Sequence, residues 1–322
     1  MNLTRVPAIS VLIATRNRAE SLRATLEALA HQDTAGAFGF EVIIIDNGST
    51  DTTRHIVEEA TRICPAPIVY LYEGGTGKPC ALNTGIARAR GELLAFTDDD
   101  IIVGSKWLAA LRGCFRETGT QAVGGRILPL WVDGRPDWLT DRVMRQLGTF
   151  GCLDLGLNRI MMNKEDQWWV GGNIAMHREL PARLGGFDER RLRGEDAEIF
   201  RRYLRAGVRI MYEPASVVHH KVGKDRLTPE YFRRWHELTG LYRALGLGWK
   251  PHHVLTVMPL YGYGEMWRWF IQWLRTNGSG EERWIRLVHE CRLRLWWSVW
   301  LQRLRLWPRW CLTVLTRRSF LS

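Results

Sequence analysis

The chain has 322 residues, with Lys plus Arg 45 against Asp plus Glu 34, a formal net charge of +11 and a hydrophobic share of 46%. At roughly 150 residues per unit this length suits two structural units or one large domain with an appendage. With Gly 31 and Pro 12 the composition is globular, which excludes collagen, coiled coil and wholesale disorder.

VPAISVLIA near the start has neither a basic flank nor a cleavage site and predicts a buried strand, not a signal peptide. Cysteines at 64, 80, 114, 152, 291 and 311 form no CxxC and no metal-finger spacing; they are expected as the scattered thiols of a reducing compartment. Ser10–Ala14 (SVLIA) stops at the polar loop TRNR, and Glu20–Gln32 is helix-periodic with Leu22, Leu26 and Leu29 on one face. Phe40–Asp46 (FEVIIID) predicts a second strand, followed by a turn at NGST and a helix over about Asp51–Ile63. PIVYLYE predicts a third strand, CALNTGIARARG a third helix with a glycine just past its end, and ELLAFTDDD a fourth strand ending in acid. Near-continuous apolar strands alternating with amphipathic helices indicate an α/β fold, a mostly parallel sheet flanked by helices. Ligands of such sheets bind beyond the carboxyl ends of the strands, where Thr15–Arg18, Asp46–Asp51 and Asp98–Asp100 fall.

From about 105 to 225 the rhythm loosens. Residues 131–166 mix Trp, Gly, Asp, Arg and Met without a period and predict a long mobile or substrate-covering loop. WWVGGNIAMH predicts a strand with a glycine kink, Gly194–Gly207 a helix, and VRIMYEPASVVHH two short strands split at Glu213-Pro214. Beyond Pro229 the chain reads helical and its composition changes. Of 16 tryptophans, 11 lie between 231 and 322, and residues 291–322 carry seven arginines and no acid.

Asp98-Asp99-Asp100 sets three mutually repelling carboxylates at a strand end, which is costly unless a cation or a ligand sits among them. Such oxygen donors suit Mg²⁺ or Mn²⁺, which bridge phosphates; a solvated turn or helix cap is the plainer alternative. Neither GxxxxGK[ST] nor GxGxxG occurs, so a P-loop hydrolase and a Rossmann-type dinucleotide binder do not fit. Gly74-Gly75-Thr76-Gly77-Lys78 has the wrong spacing for a phosphate loop, which leaves Lys78 as a nucleotide contact or a helix-capping surface lysine. Glu195 and Asp196 open a helix, where the dipole favours carboxylates; they serve that end alone or supply a base for a hydroxyl proton. His219 and His220 end an apolar strand whose neighbouring side chains face opposite ways, so at most one enters a site, as a metal ligand or merely packed.

The segments SVLIATRNRAESL, EVIIIDNGSTDTT, GKPCALNTGIARARGELLAFTDDD, VGGNIAMHRE, GGFDE and LRGEDAEIFRRYLRAG, in that order, resemble the inverting glycosyltransferases of family 2, which have the GT-A fold. The likeness spans about residues 8–222. It implies a catalytic domain over 1–225, with a Rossmann-like nucleotide-sugar-binding half over 1–100 and an acceptor-binding half over 101–225, followed by a helical region over 226–322. It also implies a nucleoside diphosphate sugar donor, UDP-sugars being the commonest in the family. Thr15 and Asn17 would then lie along the nucleotide, Asp46 near the base or ribose, and Lys78 and Asn83 beside the nucleoside. Asp100 would be the direct ligand of Mn²⁺ or Mg²⁺, with Asp98 or Asp99 at the ribose and water shell or joining it at the metal. His220, with His219 in reserve, matches an extra metal ligand. Asp196 matches the catalytic base, with Glu195 a second contact to the acceptor. Here the acidic motif is a triple, which leaves the direct ligand open by one residue.

In the tail, WRWFIQWLR and ERWIRLVHECRLRLWWSVWLQRLRLWPRW interleave Trp and Leu with Arg, and Trp284, Val288, Cys291, Leu295 and Val299 recur at three-to-four spacing. That pattern suits helices lying in a membrane interface, drawn to anionic lipid by the arginines. Packing on the catalytic domain or on a twin subunit is the competing reading. Nucleic acid binding is set aside because the rest of the chain handles a small phosphorylated ligand. No run reaches about 18 apolar residues, so no bilayer span is expected; Val254–Gly264 is apolar but too short. The expectation is therefore an enzyme peripheral on the cytoplasmic face of the cell membrane, glycosylating a lipid-linked or polysaccharide acceptor. A sugar-phosphate nucleotidyltransferase wants a glycine- and basic-rich loop that TRNR does not provide. A non-catalytic module of the same fold would have no use for the acidic clusters.

Overall fold

The computed structural model describes residues 7–75, 77–148, 150–165, 167, 169–191, 193–246, 257–276 and 280–318, with 245–246 and 307–318 as backbone only. Two compact units form, Met1–Leu130 with Phe150–Lys221, and Trp131–Thr149 with Val222–Ser322.

The first unit is built on one mixed sheet. β1 (Ile9–Thr15), β2 (Phe40–Asp46), β3 (Ile68–Tyr72) and β4 (Leu93–Phe96) are parallel, in the order β3-β2-β1-β4. β8 (Ile174–His177) joins β4 antiparallel, then β6 (Ala122–Trp131), β9 (Ile210–Val222) and β5 (Ile101–Val103) follow, with β7 (Ile160–Met161) on β9 off this path. In β2 the two faces alternate. Val42 and Ile44 face α1 (Ala19–Ala30), α2 (Thr53–Ile63) and α4 (Trp107–Thr118), whereas Ile43 and Ile45 face α3 (Lys78–Arg88), α6 (Glu179–Leu184) and α7 (Glu195–Arg205). All four are fully buried, each contributing about 1.5–3 kcal/mol to the double-faced core.

α7 starts where Gly194 takes φ 71, a left-handed conformation that costs glycine little. Its first turn carries Glu195, Asp196 and Glu198 and its last turn Arg202 and Arg205, so both ends oppose the helix dipole. α3 begins at Lys78, ahead of the predicted Cys80, because Pro79 suits the first helical turn.

Two expectations are corrected. β9 runs unbroken through Glu213-Pro214: the residue before a proline prefers an extended backbone, and the Glu213 carboxylate accepts from the Ala215 N–H at 3.0 Å and Arg159 Nε at 2.5 Å. Residues 131–166 are not one long loop, since they contain α5 (Asp141–Leu147) and β7. α5 is capped by Thr140 Oγ1, which accepts from the Val143 N–H.

The second unit comprises α5, α8 (Pro229–Gly246), α9 (Leu260–Arg275) and α10 (Gly280–Arg318), with α8 and α9 both packed on α10. Gly240 lets α8 approach closely, for a Cβ there would fall 2.2 Å from the Leu295 carbonyl oxygen. The stripe singled out in α10 is spent on this packing: Val288, Cys291, Leu295 and Val299 are buried, and Trp284 stacks on Trp138 at 4.0 Å between centroids. Of Val254–Gly264, residues 254–256 lie outside the described residues, and Leu260–Gly264 opens α9. No described helix is long and apolar enough to cross a membrane.

Candidate active site

The acid triplet follows β4, and its three carboxylates part company. Asp98 Oδ1 accepts from Lys78 Nζ at 2.5 Å. Asp99 accepts from Thr15 Oγ1 at 2.8 Å and from Arg18 Nη1 at 2.9 Å. Asp100 Oδ2 accepts from the same Arg18 nitrogen at 2.8 Å and lies 3.3 Å from His220 Nε2. The repulsion foreseen in the sequence is thus relieved by two cations, Lys78 at Asp98 and Arg18 shared by Asp99 and Asp100. Burial pushes the Asp99 carboxyl up, more than Arg18 and Thr15 pull it down. Burial also opposes the charge of Asp100, but His220 and Arg18 outweigh it and hold that carboxyl well below the usual carboxylate range.

His220 reaches Asp100 through backbone register. β5 and β9 pair antiparallel with Ile101 opposite His220 and Ile102 opposite His219, and the Lys221 N–H donates to the Asp100 carbonyl at 3.0 Å. His220 is buried and His219 half-buried.

A second cluster gathers on the Lys78 side. Lys78, Thr97, Asp98, Gly171, Glu195 and Asp196 line a narrow cleft whose apolar walls include Phe96 and Phe187. Lys78 Nζ is 4.0 Å from Glu195 Oε1. Asp196 Oδ2 accepts from the Gly171 N–H at 3.0 Å and Oδ1 from the Ala197 N–H at 2.8 Å, while Trp169 Nε1 donates to the Asp196 carbonyl at 2.9 Å. Burial raises both the Glu195 and Asp196 carboxyls. Lys78 offsets this only in part, and its own pKa, which burial would lower, is driven well above the ordinary lysine range by Asp98 and Glu195. A buried hub steadies the Gly171 turn: Asn173 Oδ1 accepts from Trp107 Nε1 at 2.8 Å, and its Nδ2 donates to the carbonyls of Arg126 and Ser216.

The remaining sequence-predicted residues divide into lining and bracing. Thr15 sits at the end of β1, bound to Asp99. Asp46 is buried at the end of β2, opposite Thr15. It accepts from Tyr70 Oη and from the Ser49 N–H, both at 2.7 Å, and burial together with Asp46 pushes the Tyr70 phenol up to about 12. Asn17, at φ 53, ties two strand-end loops together, its Oδ1 accepting from the Thr50 N–H at 2.7 Å. Asn83 clamps the Phe187 backbone, Nδ2 donating to its carbonyl and Oδ1 accepting from its N–H, both at 2.9 Å. Sequence reasoning gave no role to Arg18, Thr97, Gly171 or Asn173. Arg18 stood in the flagged loop TRNR and the glycine pair before β8 hinted at the second, but partners 81 and 66 positions away leave no local signature.

For a divalent cation the donor set is suitable and incomplete. Two neighbouring ligands at about 2.1 Å from one ion lie about 3 Å apart, close to the 3.3 Å between Asp100 Oδ2 and His220 Nε2. Among the described residues no group of three or more His, Cys, Asp or Glu is placed to hold a metal. This pair fits Mn²⁺ or Mg²⁺ that completes its shell with water and substrate phosphate.

A parallel β3-β2-β1-β4 core with acids beyond its carboxyl ends defines a GT-A-like nucleotide-sugar architecture. Residues 10–177 match the family model described as glycosyl transferase family 2, over half of the chain, which therefore belongs to that family. It is 29% identical over 214 residues to the pre-mycofactocin glycosyltransferase of Mycobacterium tuberculosis, covering 66% of this chain and 42% of that protein. It is 32% identical over 146 residues to glycosyltransferase AglE of Haloferax volcanii, covering 44% and 48%. The chain thus spans less than half the length of these two relatives. Among solved structures it resembles the mannosyltransferase PcManGT of Pyrobaculum calidifontis, in complex with GDP-Man and Mn²⁺, at a TM-score of 0.56, 18% identity and coverage of 91% and 86%; at that identity the likeness speaks for the fold.

Proposed function

We propose that the protein is a metal-dependent inverting glycosyltransferase that moves a sugar from a nucleoside diphosphate sugar, a UDP-sugar first among candidates, to a hydroxyl of a lipid-linked or polysaccharide acceptor. The observation that carries this reading is the cleft in which Asp196 faces Lys78 and Asp98. A carboxylate aimed by the Gly171 N–H, with a pKa raised by burial, is suited to take a proton at neutral pH.

Asp196 removes the acceptor hydroxyl proton as that oxygen attacks the anomeric carbon from the face opposite the diphosphate, and this single displacement inverts the configuration. Glu195 is placed to orient the acceptor. Lys78 holds Asp98 and favours the charged form of the neighbouring carboxylates against burial. Thr15, Asp46, Asp98 and Asp99 line the nucleotide side, with Asn17 and Asn83 bracing the loops that form it. Asp100 and His220 would hold Mn²⁺ or Mg²⁺, which when bound neutralises the diphosphate and the charge on the leaving group. Arg18, which donates to Asp100 Oδ2, would compete with that ion for the carboxylate. The Trp- and Arg-rich C-terminal helices favour a peripheral position on a membrane, in keeping with a lipid-linked acceptor at the cytoplasmic face.

The test is nucleoside diphosphate release from UDP-, GDP- and dTDP-sugars with Mn²⁺ or Mg²⁺, with and without chelator, for wild type and Asp196→Asn. Metal-dependent release from one donor, lost in the variant, is expected. Pyrophosphate release, or failure to bind any of the nucleotides, would overturn the proposal.

A further inference from the structure

Leu260, Tyr263, Trp267, Phe270 and Leu274 repeat at three and four residues along α9, the spacing of a single helix face. All five are exposed, Leu260, Trp267 and Leu274 at 67%, 65% and 57%. The opposite side of α9 is consumed by its own unit. Gly262 lies against the Trp296 ring, Trp269 is tilted on His289 at 5.6 Å, and Arg286 sits over Trp273 at 4.5 Å. Beside the stripe, Tyr263, Met266, Trp267, Phe270, Leu293 and Trp297 floor an open apolar groove. Its rim carboxylates Glu237 and Glu290 are bridged by Arg294.

We propose that this outward face of α9 docks on an anionic lipid surface. The inference rests on the peripheral-membrane reading above and moves the contact from the α10 stripe, which is buried, to α9.

Charge selects the occupant. Of the arginines whose side chains are described in α9 and α10, Arg303 is buried and Arg294 is held by Glu237 and Glu290, which leaves six (268, 275, 283, 286, 292, 305) against Glu265, Glu281 and Glu282. Arg275 is exposed beside Leu274 at the end of the stripe, Arg268 is exposed farther round the helix and paired with Glu265, and none of the five stripe positions is acidic. A second copy of the same face would set like charges against each other, whereas anionic headgroups complement them. At 16 residues the helix is about 24 Å long, short of a bilayer core, and a helix with Trp, Phe and Leu on one side and Arg beside them lies flat in the interface.

The test is co-flotation of the full chain with vesicles of phosphatidylcholine alone and of phosphatidylcholine mixed with phosphatidylglycerol. Wild type is expected on the mixed vesicles, less so at high salt, and little on the neutral ones. Trp267→Ser with Leu274→Ser is expected to weaken that binding about a hundredfold, roughly tenfold for each apolar side chain withdrawn. Arg275→Gln, which leaves the apolar face intact, should weaken it several-fold. Nucleoside diphosphate release without lipid should not change in either variant, which separates this test from that of the transferase reading. No binding by wild type would overturn both the face and the membrane reading. Undiminished binding by the double variant would overturn the face alone. Wild-type self-association that the double variant abolishes would overturn the lipid occupant in favour of a second copy.

Discussion

In the C-terminal unit Glu230, Glu237 and Glu290 meet Arg233 and Arg294, with Arg294 Nη1 2.5 Å from Glu237 and Nε 2.8 Å from Glu290, and Arg233 Nε 2.9 Å from Glu290 and Nη1 3.3 Å from Glu230. In the sheet unit Asp98, Glu195 and Asp196 gather around Lys78. Every acid of the first group has a guanidinium within hydrogen-bond distance and the group is half open to solvent, so it acts as a strut between helices. The second, when fully ionised, keeps two negative charges more than its cation cancels, in a place where burial disfavours the charges of Glu195 and Asp196. A fold gains nothing from such an arrangement. It makes sense when protons, a metal or a substrate are to arrive there.

The sharpest way to break the comparison is Asp196→Asn, which keeps shape and removes the carboxylate proposed as the base. Nucleoside diphosphate release should fall about a thousandfold while donor binding by calorimetry persists; a variant with near-normal turnover would take Asp196 out of the chemistry. Next comes Lys78→Met, expected to lower the rate about a hundredfold. Because Lys78 holds the Glu195 and Asp196 carboxyls down against burial, its loss raises them further, and the acid limb of the rate–pH profile should move to higher pH. A profile of unchanged position would mean that Lys78 does not act on the base.

A smaller effect has the opposite sign. Burial raises the Asp196 carboxyl in the folded state, so the folded chain binds that proton more tightly than the unfolded one. The associated stability is present below the unfolded pKa and is lost as pH rises through the folded one. Asp196→Asn should therefore melt about 2–4 °C higher than wild type at neutral pH, the gap closing in acid. Equal melting at neutral pH would show the acid to be adequately compensated. Smallest of all, Arg294→Met opens the strut among part-exposed groups, and a loss of about 1–2 °C with no change in nucleoside diphosphate release is expected.

What could be read in advance followed periodicity. The bounds of β2 coincide with the predicted Phe40–Asp46, and Thr15, Asp46 and the acid triplet stand at strand ends as expected, because an apolar run that stops at polar residues marks both an element and its exit. What could not be read depends on partners far along the chain. Asn83, expected beside the nucleoside, brackets Phe187, 104 positions away, a contact that no local pattern announces. In α10 the apolar spacing was plain, yet spacing alone cannot say whether a stripe faces lipid or another helix, and here α8 takes it. Pro214 read as a strand end for a local reason that the pairing on both sides of it overrides.

The adjacent histidines give β9 an asymmetric tolerance to length change. Ile101 stands opposite His220, and a one-residue slip exchanges the faces of a strand. A residue gained between Tyr212 and Val218 would deliver His219 to Asp100, an imidazole still. A residue lost there would deliver Lys221, which brings a fixed positive charge and no lone pair. Drift in the length of this strand is thus buffered in one direction and punished in the other.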